Sequence, residues 1–408
     1  MNKQFLFDIF GLAEKRCGVE FSHKLLRLRK ERERILNNVW KKEPPPEDLS
    51  IYRKDLILRD IDFDTIVYHA AKCLGKTDYV GLLYDIGGSA INYGEFKRGK
   101  EILHIALKNA GQNNKEFVAN ILRKLGNIEF YTNDFRAAQK YFNRSLRLFT
   151  QIDNKFGIVS IKNVIGAALV EEGKFYEGEI HFIQARKMAE EVNATEMIAK
   201  ANMNLGIIYN MRGLYEGAIN CFQKALDANL GQDLELLSNI YLNFAFTYKF
   251  TQEYNTSIEY LDKALDLICK TNNRYQKGLV YLIKAEVKCF QGELSASTAL
   301  VTSAFAIFNE TGDRLSTADA YKVLGMINRQ SKNYDVSLSY FENSRRIYQK
   351  ITNPINLAET LIEMAKLYVD TGEKSQAKKT VNLAIRNFQK IGADSKVEHI
   401  KSRFGDLI

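Results

Sequence analysis

Between Val80 and Ile391 the pattern of apolar and polar positions restates itself eight times. Each copy has a small residue, a second small residue twelve positions on, a bulky apolar residue four further, then Ala or Ser three further. The first small residues are Gly87, Gly126, Gly166, Gly206, Ala245, Ala285, Gly325 and Ala365, spaced 39 or 40 apart. The second are Gly99, Ala138, Gly178, Ala218, Ser257, Ser297, Ser337 and Ala377, and the bulky residues are Leu103, Phe142, Phe182, Phe222, Leu261, Val301, Phe341 and Val381. The set closes on Ala106, Ser145, Ala185, Ala225, Ala264, Ala304, Ser344 and Ala384. Two antiparallel helices approach closely only where neither presents a large side chain, and a bulky residue then fills the space beside them. The pattern therefore predicts an all-α fold with eight helical hairpins over residues 80–391. Each hairpin leaves an apolar face that the next one covers, so the stack buries one continuous core.

The ends of the chain do not carry the repeat. Residues 1–79 read as a helical head, broken where Lys41-Lys42-Glu43 runs into Pro44-Pro45-Pro46, since consecutive prolines cannot continue a helix. Beyond them Glu47 to Asp60 reads as charged and irregular, and Phe63 to Leu74 as a helix that caps the first repeat. Residues 392–408 read as a short polar closing helix over Asp394 to Phe404, with Val397 and Ile400 on one side.

The clearest copy of the repeat is Leu205-Gly206-x-x-Tyr209 followed by Gly213, Ala218, Phe222 and Ala225, which resembles the tetratricopeptide signature. The resemblance implies a right-handed superhelix, an α-solenoid. Two departures from the 34-residue form are visible: the period is nearer 40, and the proline that usually ends the second helix is missing, the array's only proline being Pro354. This longer variety is similar to the repeats of kinesin light chain, of the Leu-Gly-Asn-repeat spindle-orientation adaptors, of the bacterial Rap-type peptide receptors and of sensory modules fused to bacterial histidine kinases.

Charge changes the picture little. Of the net +9, a surplus of +6 lies between Phe21 and Lys42, where Lys24, Arg27, Arg29, Lys30, Arg32, Arg34, Lys41 and Lys42 alternate with apolar residues in the manner of an amphipathic helix. Such a helix suits an anionic surface or simply a solvated face. With no helix-turn-helix pattern, zinc-ligand spacing, RNA-binding aromatic motif or second basic stripe, nucleic acid is not an expected partner. Cys17, Cys73, Cys221, Cys269 and Cys289 are odd in number and scattered, which fits reduced thiols in the cytoplasm rather than a disulfide framework. No apolar run reaches the length of a membrane span, and the aromatic start from Met1 to Leu12 makes a poor signal peptide.

The tetratricopeptide resemblance further implies that the first helix of each repeat lines a concave groove. Repeat four presents Lys200, Met203, Asn204, Ile207, Asn210 and Met211 there; repeat five presents Asn239, Leu242, Asn243, Phe246, Lys249 and Phe250; repeat six presents Leu279, Leu282, Ile283, Glu286, Cys289 and Phe290. An apolar groove bearing asparagines suits a peptide, because a side-chain amide both donates to and accepts from a backbone. Repeat two is more basic, with Asn120, Arg123, Lys124 and Asn127, a partial match to a clamp for a terminal carboxylate. The five histidines are far apart, and no catalytic, metal or cofactor motif is present. The expected function is an interaction scaffold that holds a peptide segment of a protein partner, centred on repeats four to six. The other reading is a peptide-gated signalling regulator of Rap-like architecture acting through its head.

Overall fold

The computed structural model describes residues 3–42, 52–111, 114–132, 134–229, 233–271, 273–311, 313–351 and 353–405. Among these residues the regular elements are twenty α-helices, the all-α class expected. The Pro44-Pro45-Pro46 break lies outside the described residues. The chain divides into two compact units, 1–168 and 169–408.

The first unit holds α1 (Lys3–Cys17), α2 (Val19–Lys42), α3 (Tyr52–Cys73), α4 (Lys76–Asn92), α5 (Phe96–Asn109), α6 (Lys115–Tyr131), α7 (Phe135–Gln151) and most of α8 (Lys155–Glu171). Phe5, Ile9, Phe63, Ile66 and Leu83 share one core, so the head and the first hairpin are buried together. One expectation fails here. Residues Tyr52 to Asp60 belong to α3 rather than to an irregular segment. Leu58 is buried in step with Phe63, Ile66 and Ala70, while Asp60 lies on the outer face and pairs with Arg98 at 3.3 Å. Asp60, one of the charges that suggested irregularity, stands on the solvent side of that helix. The amphipathic α2 forms as expected, with Phe21 and Leu25 buried and Arg29 reaching Asp62 at 3.4 Å.

The second unit holds α9 (Phe175–Glu191), α10 (Thr195–Arg212), α11 (Tyr215–Asn229), α12 (Leu234–Phe250), α13 (Tyr254–Thr271), α14 (Arg274–Phe290), α15 (Leu294–Thr311), α16 (Arg314–Gln330), α17 (Tyr334–Ile351), α18 (Pro354–Asp370), α19 (Lys374–Gln389) and α20 (Asp394–Arg403). The pairs α10–α11, α12–α13, α14–α15, α16–α17 and α18–α19 are packed hairpins, and α10, α12, α14, α16 and α18 pack on one another in succession as an inner wall. Asp233, Asn273, Asp313 and Asn353, forty residues apart, each begin an inner helix by accepting a backbone N–H two or three positions on.

The first small residue and the bulky residue sixteen positions later obey a steric rule. A Cβ built at Gly126 would lie 2.3 Å from the Phe142 ring, at Gly206 2.4 Å from Phe222, and at Gly325 2.6 Å from Phe341. Where the small residue is Ala245, Ala285 or Ala365, the residue opposite is the slimmer Leu261, Val301 or Val381, all fully buried. Each phenylalanine thus faces a glycine and each alanine an aliphatic side chain, while the first repeat sets Gly87 against Leu103, and in every case the hairpin is filled without overlap. Serine at the second small position has its own use. Ser257, Ser297 and Ser337 donate to the carbonyls of Ala245, Ala285 and Gly325, twelve residues earlier, at 2.8, 2.6 and 2.7 Å. These bonds satisfy buried hydroxyls at the closest approach of the two helices.

α20 starts forty residues after α18, and Gly405 stands forty after Ala365, so α20 keeps the register of an inner helix. It buries Val397 and Ile400, turns Glu398, His399 and Lys401 to solvent, packs on α19 and reaches back to α10.

Candidate functional site

Polar side chains on neighbouring inner helices meet at a spacing close to 37, one repeat forward and one helical turn back. This is the offset at which obliquely crossing helices bring equivalent faces together. Asn210 and Thr247 meet at 2.7 Å, Asn239 and Gln276 at 2.8 Å, and Asp319 and Asn356 at 3.3 Å.

On this diagonal lies a ladder of alternating charge: Lys249, Glu286, Lys322, Glu359 and Lys396, contributed by α12, α14, α16, α18 and α20. The four successive ion pairs measure 2.6, 3.6, 3.5 and 3.0 Å. Lys322 also reaches Asp319 at 3.4 Å. Lys249 and Lys322 are only 3% and 4% exposed. Buried charge on this scale is tolerated only when fully paired. Burial alone would raise the Glu359 carboxyl, but the ammonium groups of Lys396, Lys322 and Lys249 outweigh it and hold it at about 2. Burial alone would lower the Lys322 ammonium, and Glu286, Asp319, Glu359 and Glu363 together keep it well above its ordinary value.

The sign of the resulting pH dependence follows from Glu359. Its carboxyl is held near 2 in the folded chain against an ordinary 4.5, so the stabilisation is complete above about pH 4.5 and is lost as pH falls towards 2. The difference in unfolding free energy between wild type and Glu359→Gln should be constant near neutrality and shrink over that acid range in denaturant titrations at stepped pH. A difference that stays constant down to about pH 2 contradicts the depressed carboxyl.

The ladder is a shared wall between two cavities. One, of 280 Å³, has a floor of Leu242, Leu279, Leu282, Ile283 and Val323, with Asn239, Asn243, Asp319 and Asn356 around it. The other, of 610 Å³, lies between the ladder and α20 and is lined by Lys249, Phe250, Arg329, Lys366, Phe388 and Lys396 among others.

Eight of the residues expected in a groove, Asn239, Leu242, Asn243, Phe246, Leu279, Leu282, Ile283 and Glu286, line the smaller cavity, and Lys249, Phe250, Glu286 and Phe290 line the larger. The others stand elsewhere. Met203 and Ile207 pack against the core around Phe222 and Phe244. Asn210 is buried and engaged with Thr247 in both directions. Asn204 lines neither cavity, and Asn127 belongs to the first unit. The smaller cavity therefore draws on repeats five to eight rather than four to six, while the larger also takes in Gly213 and Tyr215 of repeat four. Leu242 and Leu282, 7% and 5% exposed, form a floor and not an open apolar patch, because the oblique inner-helix crossing folds them under the neighbouring repeat. Lys249 is closed off by its pair with Glu286 and lies over the rings of Phe246 and Phe250.

The partial clamp in repeat two is engaged internally. Arg123 donates to Ser160 at 3.0 Å, and Lys124 lies 4.0 Å from the Tyr84 ring centroid, where burial lowers its ammonium to about 8. The basic segment of α2 is not alone either: Arg136, Lys140, Arg144 and Arg147 are exposed along one face of α7.

Sequence reasoning missed Asp319, Lys322, Asn356, Glu359 and Lys396. The signal was present in the sign alternation at intervals of 36 or 37, a period hidden beneath the stronger one of 40. Among the described residues no group of His, Cys, Asp and Glu is placed to hold a metal ion, and no helix is long and apolar enough to cross a membrane.

A sequence profile described as tetratricopeptide repeat matches residues 158–231, 197–270 and 316–390. Those stretches carry tetratricopeptide repeats. Three solved structures carry the same fold. Aspartyl phosphate phosphatase F from Bacillus subtilis is 13% identical, with 96% of each chain covered and a TM-score of 0.56. The Rap conjugation gene regulator of plasmid pLS20, solved in complex with the Phr* peptide, is 13% identical over 79% of this chain and 97% of that one, with a TM-score of 0.58. The quorum sensor NprR from B. thuringiensis is 18% identical over 85% and 98%, with a TM-score of 0.51. At these identities the likeness is one of fold. No curated protein matches the chain by sequence.

Proposed function

We propose that the tetratricopeptide repeats of this chain hold a peptide segment of a partner protein against the inner wall of repeats five to eight. The observation that carries this reading is the 280 Å³ cavity, where an apolar floor is ringed by the amides of Asn239, Asn243 and Asn356 and the carboxylate of Asp319. The floor accepts an apolar side chain, and the amides serve the peptide backbone on either side of it. Asn243 donates to the carbonyl of Asn239 at 2.9 Å, which holds its amide at the cavity edge.

Selection from a random-peptide display library against the wild-type chain tests this. Peptides so obtained are expected to bind an Asn243→Ala, Phe246→Ser double variant at least about tenfold more weakly, a loss of roughly 1.4 kcal/mol. Both positions are half-buried rather than core, so the variant keeps its floor. Equal affinity for the two chains removes the site from this cavity.

A second reading is a peptide-gated regulator in which filling the groove alters the head. The similarity in fold to the Rap regulator solved with the Phr* peptide supports it. A bound peptide would then have to favour one of two states of the chain, and hydrogen exchange in α1–α3 would change on binding; a scaffold leaves it unchanged.

A further inference from the structure

We propose that Glu359, Phe250 and Phe388 form a subsite for a cationic side chain, that the chain's own Lys396 fills it, and that a partner's lysine or arginine enters by displacing α20. This rests on the groove reading above and adds to it the chemistry of one subsite and what guards it.

Lys396 places its ammonium 3.0 Å from the Glu359 carboxylate and 4.8 and 5.3 Å from the ring centroids of Phe250 and Phe388. A carboxylate beside two aromatic faces selects a cation over any neutral group of the same size. The stem of Lys396 lies close against Gly213 at the end of α10, where a Cβ would stand 3.0 Å from Lys396 Cγ. The contact closes the larger cavity at the end where α20 returns to α10.

α20 is suited to leaving. It has ten residues, below the roughly 12–15 at which an isolated helix holds together in water, so its helicity depends on docking. Its buried apolar residues are Val397 and Ile400, with Phe404 at its C-cap, few compared with an inner helix such as α12. Gly392, just before it, has a left-handed backbone (φ 65°) with open space around it, a joint at which the chain can turn without steric cost. Sparse apolar contact marks the less stable part of a repeat array. Because Lys396 is tethered at high effective concentration, an incoming cation succeeds only when other contacts, such as those of the Asn243 cavity, come with it.

The test uses the full chain bearing Lys396→Glu, which sets like charges together at Glu359, and a fluorescein-labelled synthetic peptide of residues 393–405. The peptide is expected to bind the variant at least about tenfold more tightly than the wild-type chain, whose own α20 competes. A peptide carrying Lys396→Met is expected to lose at least about tenfold of that affinity. Hydrogen exchange provides the control for folding: amides of α20 should exchange faster in the variant while those of α12 to α18 are unchanged. Unaltered protection of α20, equal peptide binding to both chains, or full affinity of the methionine peptide overturns the proposal. If library-selected peptides still require Asn243 and Phe246 while any of these results is obtained, the groove reading stands and the cation subsite falls.

Discussion

Replacing Lys322 with methionine is expected to destabilise the second unit by about 3–5 kcal/mol, the range for breaking a buried ion pair from one side. Three carboxylates lie within 3.4 to 3.6 Å of its ammonium: Glu286, Asp319 and Glu359. Glu286 retains Lys249 and Glu359 retains Lys396, so neither is stranded. Asp319 loses its cation and keeps only the neutral donors Asn356 and Tyr348, which makes it the residue that decides the size of the loss. With its side chain 26% exposed, this carboxylate is only partly hydrated, and leaving it without a cation is costly. Removing that charge in the same chain, as Asp319→Asn with Lys322→Met, should restore at least about 1 kcal/mol relative to the sum of the single changes, a coupling of the size expected for groups in contact. Urea unfolding followed by far-ultraviolet circular dichroism measures both quantities. A loss below about 1 kcal/mol for Lys322→Met would mean that the ladder contributes little to stability.

Gly206→Ala is expected to destabilise by about 1–3 kcal/mol, although alanine is the better helix former by about 1 kcal/mol. The steric term decides the sign. The added methyl would sit 2.4 Å from a ring carbon of Phe222, whereas carbon atoms rest at about 3.5–4.0 Å, and Phe222 is fully buried and cannot swing aside. Phe222→Leu should recover part of the loss in the alanine background while destabilising the wild type, because Ala245 with Leu261 already forms that pair one repeat along. Simple additivity of the two changes would show that the two positions do not share one space.

Gly206 and Phe222 make plain why the fold is legible in the sequence and the candidate cavity only in part. The small-residue pattern is a rule about two helices joined by a short turn, and it is written within sixteen residues; Gly206 with Phe222 and Ala285 with Val301 obey it without reference to the rest of the molecule. The polar ladder depends on how one hairpin crosses the next. Lys249, Glu286 and Lys322 occupy the same face only after the inner helices have taken their oblique angle, which moves the matching position back by a turn. The same angle buries Leu242 and Leu282, residues that a flat projection of the repeat leaves open, and shifts the cavity by about one repeat, so that Asp319 and Asn356 enter it and Met203 and Ile207 pack, half-buried, against the core around Phe222. In the head, Tyr52 to Asp60 was misread because its acidic and basic residues obscured the single buried line through Leu58 that makes it part of α3.

On the proposed reading, ligand is held by the inner wall of repeats five to eight. Hydrogen exchange of the full chain with and without a library-selected peptide tests it most directly. Added protection confined to the cavity-lining stretches of α12, α14, α16 and α18, around Asn243, Leu282, Val323 and Asn356, is the predicted result. Protection that appears instead on α2 or α7, with those four helices unchanged, would contradict it and assign binding to the basic outer helices of the first unit.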